Sequence, residues 1–166
     1  MAVLPLKYLP DPILRKKARP VAKIDNSVAR LIKDMLDTMR EAGGVGLAAN
    51  QVGKLLRIAV IEIPEESPLV LVNPEVTRRV GRREIDEGCL SVPGYSGLVN
   101  RSIKTKVKAL DAEGVPFRIS AEGLLSQALE HEIDHLDGVL FIDHLVEPGA
   151  LIPISDQADF PEEKED

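Results

Sequence analysis

Residues 124–136 constrain this fold more than any other stretch of the chain. Leu124, Leu125, Ala128, Leu129, Ile133 and Leu136 recur at helical spacing, Ser120 offers a cap, and Gly138 closes the segment. The predicted helix is rather apolar for a surface helix, yet it carries His131, Glu132 and His135. Polar groups on such a helix need partners. An earlier helix is predicted where Val28, Leu31, Ile32, Met35, Leu36 and Met39 repeat. Asp25, Asn26 or Ser27 can cap it, and Gly43 and Gly44 end it. Pro5 to Pro20 reads as extended chain with turns. Between the helices the period drops to two, and strands are predicted at Arg57–Ile63, Leu69–Val72, Glu75–Val80, Ile103–Ala109 and Val115–Ile119. There is no regular βαβ alternation. The pattern is α+β, with antiparallel sheets packed around a central helix and a further helix near the N-terminus. At 166 residues this is one domain, large enough to fold without a disulfide or a metal.

The formal charge of −6 argues against a general nucleic-acid binder. With no Trp, two Tyr and three Phe, a base-stacking platform is excluded too. The charge is uneven. Residues 147–166 hold seven acids and one base, which leaves twenty acids and twenty bases in residues 1–146. We expect a single neutral domain over 1–146 and an acidic, proline-bearing mobile tail over 147–166. A single Cys cannot form an internal disulfide, so a reducing cytoplasm is expected. The N-terminus lacks the basic and apolar regions of a signal peptide, and no apolar run is long enough to span a bilayer. The alternating Lys104, Lys106 and Lys108 read as a solvated strand face.

The chemistry sits in three segments. His131-Glu132-Ile133-Asp134-His135 puts two imidazoles one helical turn apart, where both reach one metal ion, with Glu132 beside the first. Catalytic sites of this kind use a third protein ligand and keep one position open. His144 lies beyond the helix end and reads as peripheral; a carboxylate is possible, and so is Cys89 in Glu87-Gly88-Cys89-Leu90-Ser91, although a lone Cys is more often a small buried hydrophobe. Gly44-Val45-Gly46-Leu47-Ala48-Ala49-Asn50-Gln51 lacks the ending of a phosphate loop. It allows close backbone approach, and Gln51 offers an amide to an oxyanion.

Together the three segments resemble the peptide deformylases, in order and in spacing, from about Pro10 to about Leu145. The resemblance implies a hydrolase that removes the formyl group from the N-terminal formyl-methionine of new polypeptides and releases formate. It implies Cys89, His131 and His135 as ligands of one divalent metal, usually Fe2+, with Zn2+, Ni2+ or Co2+ able to replace it. Glu132 is implied as general base, with the Gln51 amide and the Leu90 N–H stabilising the oxyanion. The peptide would add as a strand beside Val45 and Gly46, with Gly88 on its other side. The methionine would lie near Val45, Ile85, Leu124, Gln127, Ala128 and His131. Glu130 stands where many members have Gln, and Asn50 fills a variable position. Some members dock on the ribosome through a basic C-terminal helix. An acidic C-terminus makes that route doubtful here, and leaves transient ribosome contact by another. Two rivals remain: a protease of the His-Glu-x-x-His type, and a deformylase-like protein that binds without turnover.

Overall fold

The structure is a computed structural model that describes residues 2–154. Helix α1 (Asn26–Glu41) starts where the Asp25 carboxylate accepts the Val28 N–H at 3.0 Å and ends before Gly43, whose φ is +70°. Seven strands run between and beside the two long helices: β1 (Gly46–Ala48), β2 (Ile58–Ile61), β3 (Leu69–Val80), β4 (Arg83–Cys89), β5 (Val92–Arg101), β6 (Lys104–Leu110) and β7 (Pro116–Glu122). Helix α2 (Gly123–Leu136) follows, and a two-residue strand β8 (Ile152–Pro153) comes last. All pairings between these strands are antiparallel.

Two sheets result, one ordered β1-β2-β3-β6-β7 and one ordered β4-β5-β8. The larger sheet is covered on both faces. Ile58 and Val60 of β2 pack with Ile32, Met35 and Met39 of α1. Their neighbours Ala59 and Ile61 pack with Leu129, Ile133 and Leu136 of α2. That alternation explains why β2 is apolar at every position. The smaller sheet holds its own cluster of Val92, Val99, Phe141 and Leu145. It is tied to α2 through hydrogen bonds, among them Gln127 Nε2 to Asp86 O at 3.1 Å. Residues 126–133, 135 and 136 of α2 are buried, so the helix is central, as its composition requires.

Four local expectations change. Residues 69–72 and 75–80 belong to one strand, not two: Asn73 takes a φ of +51° at an irregularity in the pairing, and its amide bonds both backbone groups of Val21. Ser120 does not cap α2. It lies in β7 opposite Lys106, because pairing with β6 continues to Glu122, and Gly123 with φ +61° turns the chain into the helix. Residues 92–101 form a strand although they include Pro93, Gly94 and Gly97. A Cβ on Gly97 would fall onto the Leu145 side chain, so close packing requires the glycine there. The opening segment includes a short 3-10 turn at Pro12–Arg15.

Of the proposed tail, residues 155–166 lie outside the described residues, while residues 147–154 return along β5 and form β8. Among the described residues no helix is long and apolar enough to cross a membrane.

Candidate metal centre

One turn of α2 separates His131 from His135, and their Nε2 atoms stand 3.2 Å apart. Cys89, the last residue of β4, brings Sγ to 3.2 Å from His135 Nε2. All three donor atoms lie within 4.8 Å of one another. A tetrahedral ion with metal–nitrogen bonds near 2.05 Å and a metal–sulfur bond near 2.3 Å has nitrogen–nitrogen edges of about 3.3 Å and nitrogen–sulfur edges of about 3.6 Å. The 3.2 Å separation of the two histidine nitrogens sits close to the first edge, and the 3.2 Å separation of Cys89 Sγ from His135 Nε2 falls somewhat inside the second, so the donor set fits a divalent metal. His135 is fully buried, whereas His131 and Cys89 line a cavity of about 520 Å³. A fourth position on such an ion would face that cavity.

A second layer holds the donors. His131 Nδ1 lies 2.7 Å from Glu87 Oε2. Arg101 forks onto Glu87 at 2.9 and 2.6 Å, and its other nitrogen reaches Asp134 at 2.8 Å. Burial opposes ionisation of Glu87, but the hydrogen bonds from His131 and Arg101 outweigh it and hold the carboxyl down at about 2. His135 lies well below its ordinary value, first through burial and then through the charge of His131. On His131 burial also opposes protonation, but the neighbouring Glu132, Cys89 and Glu87 outweigh it and raise the ring well above its ordinary value.

Glu132 lines the cavity, and its Oε1 is buried without a hydrogen-bond partner among the described residues. Burial pushes its carboxyl up to about 7, a value suited to taking and returning a proton near neutrality. Room for this side chain comes from Gly46, where a Cβ would collide with the Glu132 carboxylate. Gln51 is oriented by its own backbone surroundings. Its Oε1 accepts the Ala48 N–H at 2.9 Å, which turns Nε2 toward Ser91 Oγ at 3.1 Å and Cys89 Sγ at 3.6 Å. Leu90 follows β4 in the turn before β5, and its side chain occupies the space left by Gly44.

The structure therefore gathers Cys89, His131, His135, Glu132 and Gln51 into one site. Val45, Gly46, Gly88, Leu90, Leu124, Gln127 and Ala128 line the same cavity. Ile85 does not join them: it faces Val99 across β4 and β5 and packs with Val92, Phe141 and Leu145. His144 stays outside the donor set, with Nε2 at 3.0 Å from Asp134 Oδ2. Glu130 is compensated rather than exposed, accepting from Ser102 N at 2.6 Å and Arg79 Nε at 2.9 Å. Sequence reasoning missed Arg101, Asp134 and the role of Glu87. Only the buried setting of the histidines hinted that a carboxylate and its cation must stand behind them. It also missed Tyr95 and Ile154, which line the cavity mouth.

Comparison with known proteins agrees with this geometry. The family profile described as polypeptide deformylase matches residues 3–150. A peptide deformylase of Dehalococcoides mccartyi (strain CBDB1) is 46% identical over 164 residues, covering 98% of each chain. One from Alkalilimnicola ehrlichii is 49% identical over 150 residues, covering 89% of this chain and 84% of that one. The crystal structure of a peptide deformylase from Legionella pneumophila superposes with a TM-score of 0.85 at 52% identity, over 87% of this chain and 86% of that one. The Synechococcus elongatus peptide deformylase, solved in complex with actinonin, gives 0.84 at 44% identity, over 87% and 79%. A profile match across most of the chain, with relatives this similar over nearly their whole length, shows that the chain belongs to the polypeptide deformylase family.

Proposed function

We propose that this protein hydrolyses the N-formyl group from the N-terminal formyl-methionine of newly made polypeptides and releases formate. The observation that carries the reading is Glu132: a buried carboxylate whose Oε1 has no partner among the described residues, beside three converging metal donors, in the lining of a cavity. Cys89, His131 and His135 would hold one divalent ion, which we assign as Fe2+, with Zn2+, Ni2+ or Co2+ able to accept the same donors. When bound, the ion lowers the pKa of a water and polarises the formyl oxygen.

The chain's own residues do the rest. Glu132 takes the proton as the water oxygen bonds to the formyl carbon. Gln51 Nε2 and the Leu90 N–H donate to the developing oxyanion. As the carbon–nitrogen bond breaks, Glu132 returns the proton to the leaving amine, and formate and a free N-terminus result.

Both β1 and β4 are edge strands of their sheets and both border the cavity. An extended peptide between them would bond to the backbone near Val45 and Gly46 on one side and Gly88 on the other. Its methionine would rest against Leu124, Gln127, Ala128 and His131, with the Gln127 amide already engaged by Asp86 and Glu87. The protein would act in the cytoplasm on nascent chains, meeting the ribosome transiently without using its acidic C-terminus.

A peptide assay tests this against the protease reading. Formyl-Met-Ala-Ser should yield formate with both peptide bonds intact, and actinonin should inhibit. Cleavage of internal bonds without formate would support the protease instead.

A further inference from the structure

On the larger sheet, the face under α1 is covered at one end only. The α1 cluster takes in Ile58 and Val60 of β2 and reaches Val72 of β3 and its partner Leu110 of β6. Side chains alternate along a strand, so stepping back by twos from Leu110 puts Lys108, Lys106 and Lys104 on that same face. The pairing register brings in their neighbours. On β7, Arg118 stands opposite Lys108 and Glu122 opposite Lys104. On β3, Arg78 stands opposite Lys106 and Glu75 opposite Lys108. Five cations thus share one surface with two acids. Arg78, Lys108 and Arg118 are exposed, and Lys104 and Lys106 are half-buried.

These cations are largely uncompensated. Among the described residues their one ion pair is Lys108 with Glu75, at 3.4 Å between two exposed side chains, a kind of pair that holds little. A cavity of about 640 Å³ opens beside them, lined by Lys108 and Arg118 and by no carboxylate; Phe117, which also lines it, packs with the cluster under α2. The formal charge of −6 conceals this surface, because strand register rather than composition assembles it.

Charge of one sign spread over three strands attracts a polyanion. The face has Val80 as its one apolar member and no aromatic, so it offers nothing to bury in a bilayer and nothing on which to stack a base. What remains is contact with a phosphate backbone, which a duplex presents outermost. We infer that the β3-β6-β7 face docks on the phosphate backbone of an RNA duplex without reading its sequence. The choice of RNA rests on the deformylase reading, which sets the protein to work on nascent chains; the charged surface does not. Helix α2 lies on the other face of the sheet, and the lining of the catalytic cavity includes none of the five cations, so a docked RNA leaves that cavity open to a peptide.

Titration of the metal-loaded protein against a labelled RNA duplex of about 20 base pairs tests the surface. Binding should weaken about 100-fold between 50 and 200 mM salt, as about four neutralised phosphates require. Replacing Lys104, Lys106 and Lys108 together by Gln should weaken binding at least about tenfold and flatten the salt slope by about three. The same variant should release formate from formyl-Met-Ala-Ser at the parent rate. Replacing the three by Arg should keep the affinity, which separates lost charge from a damaged fold. Competition by polyglutamate as strong as by unlabelled duplex would overturn RNA as the partner. No binding at 50 mM salt, or equal binding by the Gln variant, would overturn the surface and leave the deformylase reading standing. No formate from any of the proteins would overturn that reading, and the choice of RNA with it.

Discussion

At residue 46 a single methyl group decides whether Glu132 keeps its place. The three atoms that a Cβ there would meet first all belong to the Glu132 side chain. Gly46→Ala should therefore retain the metal and lower kcat at least about tenfold, with a stability loss of about 1–3 kcal/mol from overpacking. Steady-state kinetics and thermal melts on one preparation check it. Arg101 supports the site from behind. Its side chain is 2% exposed and shared between Glu87 and Asp134. Removing it leaves Glu87 buried without its cation, so Arg101→Ala should lose about 3–5 kcal/mol of stability. Because Glu87 orients His131, metal affinity should also fall by about 10- to 100-fold. Denaturant unfolding and competition with a chelator measure the two effects.

Elements place these residues, and they differ in how far the sequence discloses them. The 3.6-residue period drew both helices, and the His-Glu-x-Asp-His spacing placed two donors on one face of α2 before any coordinates. Only the end of β4 around Gly88 and Cys89 reads as a strand end; the rest of β4 and all of β5 are hidden because their stability is tertiary. Pro93, Gly94 and Gly97 disfavour a strand locally, yet β5 is paired on both sides. The cap of α2 was misplaced because a pairing partner, Lys106, held Ser120 in a strand. Cys89 could be singled out as the lone thiol, but its convergence on α2 follows from the β4–β5 hairpin, which no local pattern announced. The irregularity in β3 offers a test at this scale. The Asn73 amide accepts from Val21 N at 2.7 Å and donates to Val21 O at 2.9 Å, from a left-handed backbone. Asn73→Ala should lose about 2–3 kcal/mol, and Asn73→Gly less, since glycine restores the conformation but not the hydrogen bonds. Denaturant titration of both variants separates the two contributions.

Across the whole molecule, the N-terminal segment is stitched to distant parts of the chain. Lys7 N donates to Gln51 O at 2.7 Å and Leu9 N to Ser91 O at 3.0 Å, so the N-terminal segment crosses over two of the three motif segments. Arg15 then bonds both oxygens of Asp143, near the end of the body. Burial opposes ionisation of Asp143, but hydrogen bonds from Arg15 and the Leu140 N–H outweigh it and hold the carboxyl below its ordinary 3.8. The folded value is the lower one, so this contribution is fully present above pH 3.8 and is lost as pH falls through the folded value. Asp143→Asn should remove that part of the acid limb. The effect should stay below about 1 kcal/mol because the pair is partly exposed, and melts from pH 7 to pH 3 follow it. The central claim is that Glu132 works beside a metal held by Cys89, His131 and His135. Its most direct test is anaerobic formate release from formyl-Met-Ala-Ser, with metal analysis of the same samples of the protein and of Glu132→Ala. We predict about one ion per chain in both, and a fall in turnover of about 100- to 10,000-fold in the variant. Near-normal formate release by Glu132→Ala, or turnover without bound metal, would contradict the account.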